Sequence, residues 1–203
     1  MEFDLKRTAQ ITGLLLLIAA VTQAIYTALY VAEMDVPRKL LWGSEGLLFV
    51  LTAAFAGSAL AQTDRHHLAW SAIDAAAVLN VVQVGVGLTM FGPFYEAVGN
   101  VEGLTPAAGS VVAFSFMVYN AAKILLALAL LVLGLARLGA GSTLLGGASA
   151  AVAAVALIAN TASMGAGRDV FGELPLAGGS GVLATVLLGI CLLSLPDAGS
   201  DEG

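Results

Sequence analysis

Apolar residues run through this chain in long continuous stretches divided by short polar breaks, with no alternation of polar and apolar positions inside any stretch. A membrane-crossing helix needs about 20 such residues to traverse ~30 Å of hydrocarbon. Six stretches have that length and character, at 9–32, 40–62, 68–92, 110–138, 143–166 and 174–195. Their continuity predicts helices, because a transmembrane β-barrel alternates lipid-facing and lumen-facing side chains. The sixth is the shortest in its apolar part and spans comfortably only if the helix begins near Leu174 with Pro175 in its first turn. The expected fold is all-α: one transmembrane domain over residues 1–203, a bundle of six helices with short loops and an acidic tail at 196–203.

The breaks carry ordinary helix-ending chemistry: Pro37 after the first span, Thr63, Asp64 and Arg65 after the second, Gly139 to Ser142 after the fourth. Short connections make successive helices antiparallel neighbours. Two connections are longer, from Pro93 to Gly109 with Glu96, Glu102 and Pro106, and from Gly167 to Gly179 with Arg168, Asp169 and Glu173. Both fall on the same side of the membrane. Lys6, Arg7, Arg65 and Arg137 lie toward the other side, against Arg38, Lys39 and Arg168 on the loop side. This basic excess, four against three, predicts both termini in the cytoplasm; the membrane expected is a prokaryotic plasma membrane. Trp42, Phe91, Phe94, Tyr95 and Trp70 sit near span ends, where amphipathic rings are favoured.

Composition sharpens the picture. The 203 residues are 59% apolar and 11% charged, with a mean hydropathy of +0.95, too few charges to cover a water-soluble fold. A net charge of -6 excludes nucleic acid as a partner and leaves no polybasic grip on anionic lipid. The apolar spans make membrane lipid the expected surroundings. The single cysteine, Cys191, lies in the last span, so no disulfide can form within the chain. Glycine is abundant, at 24 residues, and small residues four apart (Ala53 and Gly57, Gly146 and Ala150, Ala150 and Ala154) predict close helix approach or a homo-oligomeric contact. The fifth span, with Gly146, Gly147, Ala148 and Ser149 in succession, is expected to be the most tightly packed.

Chemistry is confined to polar side chains inside the spans. Measured from the loop side at 1.5 Å per residue, Gln23, Asn80, Gln83, Asn120 and Lys123 fall at roughly 13 to 20 Å, with Asn160 a little shallower. That is one layer near the midplane. Asn80 with Gln83, and Asn120 with Lys123, are three residues apart and share a helix face. Lys123 is the central candidate: far from either end of its span, it requires amide oxygens, a carboxylate or a wet path. Glu45 and Asp74 lie nearer opposite membrane surfaces, lean toward water along their helices, and are candidates for the entrances or relay points of a polar path. Gln23, Asn80 and Asn160 recur at similar depth in the odd-numbered spans, as three repeated helical hairpins would produce.

Other chemistries find no support in the residues. His66 and His67 are adjacent in a polar break, which is not a metal-ligand spacing. No Ser/His/Asp arrangement, phosphate loop or dinucleotide fingerprint is present, and no cofactor is implied. Six spans with the lysine in the fourth do not match the rhodopsin arrangement for a Schiff-base chromophore. The first expectation is a transporter or channel for a small polar solute, an anionic one included, or an ion. The alternatives are an accessory subunit of a larger membrane complex that holds lipid or a cofactor, and a membrane-embedded enzyme with Lys123, Glu45 or Asp74 as acid or base on a lipid-like substrate.

Overall fold

A computed structural model describes residues 3–34, 37–101, 103–172 and 174–195. The sequence-predicted features at Glu102, Glu173 and the acidic tail lie outside these residues. The chain is all-helical: α1 (Leu5–Val31), α2 (Arg38–Gln62), α3 (His67–Thr89), α4 (Phe91–Asn100), α5 (Thr105–Gly139), α6 (Thr143–Ala166) and α7 (Leu176–Leu193), with one 3-10 turn at Arg168–Phe171. Six segments are long and apolar enough to cross a membrane, α3 and α4 counting as one. The protein is an integral membrane helical bundle.

Its surface follows the solvent it was built for. Large apolar side chains such as Leu14 (53% exposed), Leu47 (61%), Leu144 (88%) and Ile158 (71%) point outward, while the interior is built from alanines, leucines and a few polar groups. In water that distribution would be unstable; in lipid, tails are as apolar as leucine and the contrast between inside and outside disappears. Helix association therefore rests on close packing and hydrogen bonding. Around the bundle the neighbours run α1, α2, α3, α5, α6, α7 and back to α1, and α7 also packs on α5. By contrast, α1 and α5 have little direct backbone approach.

Glycine sets the tightest crossings. A Cβ on Gly146 of α6 would lie 2.8 Å from the Leu138 nitrogen and 2.9 Å from the Gly134 oxygen of α5. The α5–α6 pair is the most extensive in the bundle, but the fifth span is not the most deeply packed helix: 33% of its apolar window is buried, against 44% in α5 and in α7. A second crossing joins Gly13 of α1 to Gly189 of α7, where each added Cβ would meet the other residue's carbonyl oxygen at 2.8 and 2.9 Å. Gly57, in contrast, faces open space. The α5–α6 turn closes as a Schellman motif: the Ser142 N–H bonds the Arg137 carbonyl at 2.9 Å and the Gly141 N–H bonds that of Leu138 at 3.0 Å. Gly141 takes φ +85°, which a side chain would oppose. Arg137 itself turns to the last turn of α7 and donates to the carbonyls of Cys191 (2.7 Å) and Ser194 (2.9 Å). It caps a helix end whose carbonyls have no intrahelical partners.

The connection from Pro93 to Gly109 is mostly helix and not the loop expected. Pro93 falls in the first turn of α4 and Pro106 at the start of α5, positions where a missing N–H costs nothing. The rings of Trp42, Phe91 and Tyr95 follow one another edge to face, with centroids 5.7 and 6.3 Å apart, and hold α4 against α2. Pro175 precedes α7 as its N-cap and does not enter its first turn.

Candidate functional site

Lys123 lies near the middle of α5, 0% exposed, and its stem runs along Gly181 of α7, where an added Cβ would come within 3.0 to 3.3 Å of three of its carbons. The absent side chain on Gly181 is the space the lysine occupies. Its ammonium donates to Gln23 Oε1 of α1 at 2.7 Å and to Thr185 Oγ1 of α7 at 3.2 Å, and stands 5.2 Å from the centroid of the Tyr119 ring. Gln23 Nε2 then donates to Glu45 Oε1 of α2 at 2.5 Å. Gln23 is 7% and Glu45 5% exposed.

These contacts form one chain from ammonium through amide to carboxylate, drawn from α5, α1 and α2 and braced by α7. Its polarity is forced. An ammonium can only donate and a carboxylate can only accept, so the bridging amide must turn its oxygen to Lys123 and its nitrogen to Glu45. A buried charge is tolerable only when paired and hydrogen-bonded, and here the two opposite charges cancel over one intervening side chain. The chain also crosses the gap between α1 and α5, tying helices whose backbones barely meet.

Aromatic rings close it on the loop side. Trp42 precedes Glu45 by one helical turn, is 8% exposed, and meets the Tyr26 ring at a tilt at 5.3 Å and that of Phe91 edge to face at 5.7 Å. Gly87 of α3 makes room for its indole, since a Cβ there would collide with the ring. On the other side lie fully buried apolar side chains, Leu16, Phe49, Leu126 and Leu188 among them.

The predicted polar layer is thus divided. Lys123, Gln23 and Glu45 are joined, although Glu45 was expected to lean toward water; Gln23 instead holds the carboxylate inside. Thr185 and Gly181 completed the site unannounced, because a threonine and a glycine in an apolar span are also ordinary packing residues. Asn80 and Asn160, both fully buried, donate to the carbonyls one turn back, Ala76 (2.9 Å) and Ala156 (2.8 Å); Asn160 also reaches Ala177 at 3.2 Å. Their Oδ1 atoms have no hydrogen-bond partner among the described residues. Gln83 donates to Ser115 of α5 at 3.3 Å, away from the lysine. Asn120 shares a helix with Lys123 but no hydrogen bond joins the two; it lines a separate cavity. Asp74 is half-buried on α3 and takes no part in the chain. Among the described residues no group of three His, Cys, Asp or Glu side chains is placed to hold a metal ion. Compared with protein families, curated proteins and solved structures, the chain matches none.

Proposed function

We propose that this protein is a membrane transporter or channel for a small polar solute or ion, with Lys123, Gln23 and Glu45 as its midplane site. One observation carries the reading: a fully enclosed, charge-balanced hydrogen-bonded chain across three helices, where neutral polar groups would have tied the helices at lower desolvation cost. The two donor bonds and the Tyr119 ring occupy the ammonium, so a solute reaches it only by replacing one of them. A proton needs less room, since Gln23 has only to turn aside for the Lys123 ammonium to hand its proton to the Glu45 carboxylate, leaving a neutral amine and a neutral acid, and we take it as the favoured species. Access from the loop side requires the Trp42 and Tyr26 rings to part above Glu45. Opening on the other side requires α5 and α7 to separate below Lys123. With this reading go a prokaryotic plasma membrane and cytoplasmic termini; the distribution of Lys6, Arg7, Arg65 and Arg137 supports that orientation.

The test is flux into proteoliposomes loaded with a pH-reporting dye, with a potassium diffusion potential as the driving force. The wild type is expected to pass protons above the rate of empty vesicles, and Lys123→Met, purified as a monodisperse protein, to pass none. Unchanged flux in that variant removes the lysine from the mechanism. A wild type that moves neither protons nor small anions removes transport altogether.

A further inference from the structure

The cavity that Asn120 lines does not communicate with the lysine chain through any hydrogen bond, and its walls have a different chemistry. It encloses about 740 Å³ between the loop-side halves of α5 and α6, under α4. Along α5 its lining runs from Thr105 to Asn120, about 22 Å at 1.5 Å per residue. Phe114, Phe116 and Met117 line it while remaining 47, 41 and 45% exposed, so it opens sideways toward lipid. The volume falls within the range of small-molecule sites, and the lining has their usual make-up of apolar and aromatic walls with few polar groups.

Those few polar groups stand at the deep end. Asn120 is 3% exposed and Ser163 of α6 is 5% exposed, and neither side chain makes a hydrogen bond among the described residues. The register of the two helices puts them together. Gly134 meets Ser149 across the α5–α6 crossing, and fourteen residues further along each helix, four turns of an antiparallel pair, come Asn120 and Ser163. Their polar atoms face the cavity, and covering them with hydrocarbon alone would cost on the order of 1 to 3 kcal/mol each, so the cavity is where a partner would sit.

We infer that this cavity is a binding site for an uncharged lipid bearing one hydroxyl or carbonyl oxygen, bound with that oxygen at Asn120 and Ser163 and its hydrocarbon along Phe114 and Met117. A bare acyl chain would leave the amide and hydroxyl unsatisfied. A charged headgroup would find no counter-charge at that depth, since Asp169, the carboxylate in the lining, belongs to the mouth beside Gly167. The site does not depend on Lys123 or on transport.

The experiment is photolabelling in lipid nanodiscs with a diazirine-bearing hexadecanol, followed by peptide mapping. Labels are expected on α5 and α6 around the cavity, displaced by excess hexadecanol but not by hexadecane or phosphatidylglycerol. Asn120→Leu should weaken labelling about tenfold, the loss of one good hydrogen bond, and Ala113→Trp, which fills the cavity, should abolish it. Should Asn120→Leu not fold, Ser163→Ala is expected to show a loss of several-fold. Labelling unchanged in a folded Asn120→Leu or Ser163→Ala protein overturns the inference. So does equal displacement by hexadecane or phosphatidylglycerol, which would mean that the groove holds only ordinary bilayer chains.

Discussion

Removing the ammonium of Lys123 should destabilise the protein in a way that a second substitution repairs. In Lys123→Met the stem out to the ε position is kept and the ammonium is lost. Thr185 still donates to the Gly181 carbonyl at 2.8 Å, so it is not orphaned. The damage falls on Gln23 Oε1, which loses its donor, and on the Glu45 carboxylate, 5% exposed and now without a counter-charge. Breaking a buried pair from one side costs about 3 to 5 kcal/mol, mostly through the charge left behind. Glu45→Gln alone strands the lysine instead and should cost about as much. In the double variant Lys123→Met/Glu45→Gln no charge remains, and the two amides at 23 and 45 can still bond each other. It should lie within about 1.5 kcal/mol of the wild type, since neutral replacement of a buried pair is often tolerated. Unfolding in mixed detergent and dodecyl sulfate micelles, read by helical circular dichroism, measures the cycle. Single effects that add to within about 0.5 kcal/mol would show that the two charges do not sense each other and refute the reasoning.

Two further predictions concern the frame that holds the chain in place. Gly146→Leu should lower stability by about 3 kcal/mol or more, because its Cβ meets backbone at 2.8 Å, whereas Gly57→Leu, facing open space, should change it by less than about 0.5 kcal/mol in the same unfolding assay. Arg137→Ala should cost about 1.5 to 3 kcal/mol by uncapping α7, and hydrogen exchange should rise at the C-terminal end of that helix while the N-terminal end of α7 stays protected.

The spans were legible because lipid demands little of a sequence beyond length and apolarity, and residues 40–62 or 143–166 meet both demands on every face. That same uniformity hid the site. A helix apolar all round gives no sign of which face looks inward, so the depth of Gln23, Asn80, Asn120, Lys123 and Asn160 could be read but not their partners. Lys123 and Gln23, a hundred positions apart, found each other. Asn80, at similar depth, turned to its own helix backbone, and Asn160 to its own and to the Ala177 carbonyl of α7. Glu45 was expected to lean toward water from the tilt of its own Cβ, a local argument overruled by an amide on another helix. The glycines show the same limit, since Gly146 was legible as part of a small-residue run while Gly13 and Gly189, set singly among larger apolar residues, gave no pattern. Residues 93–100 read as loop because Pro93 and Gly99 are common there, and only the aromatic contacts of Phe91 and Tyr95 show why they form a helix.

The most direct measurement is proton flux through Lys123→Met/Glu45→Gln in proteoliposomes. That variant is expected to be as well folded as the wild type and to carry no current, because it keeps the amides and loses both charges. Wild-type flux through a chain holding neither charge would contradict the account.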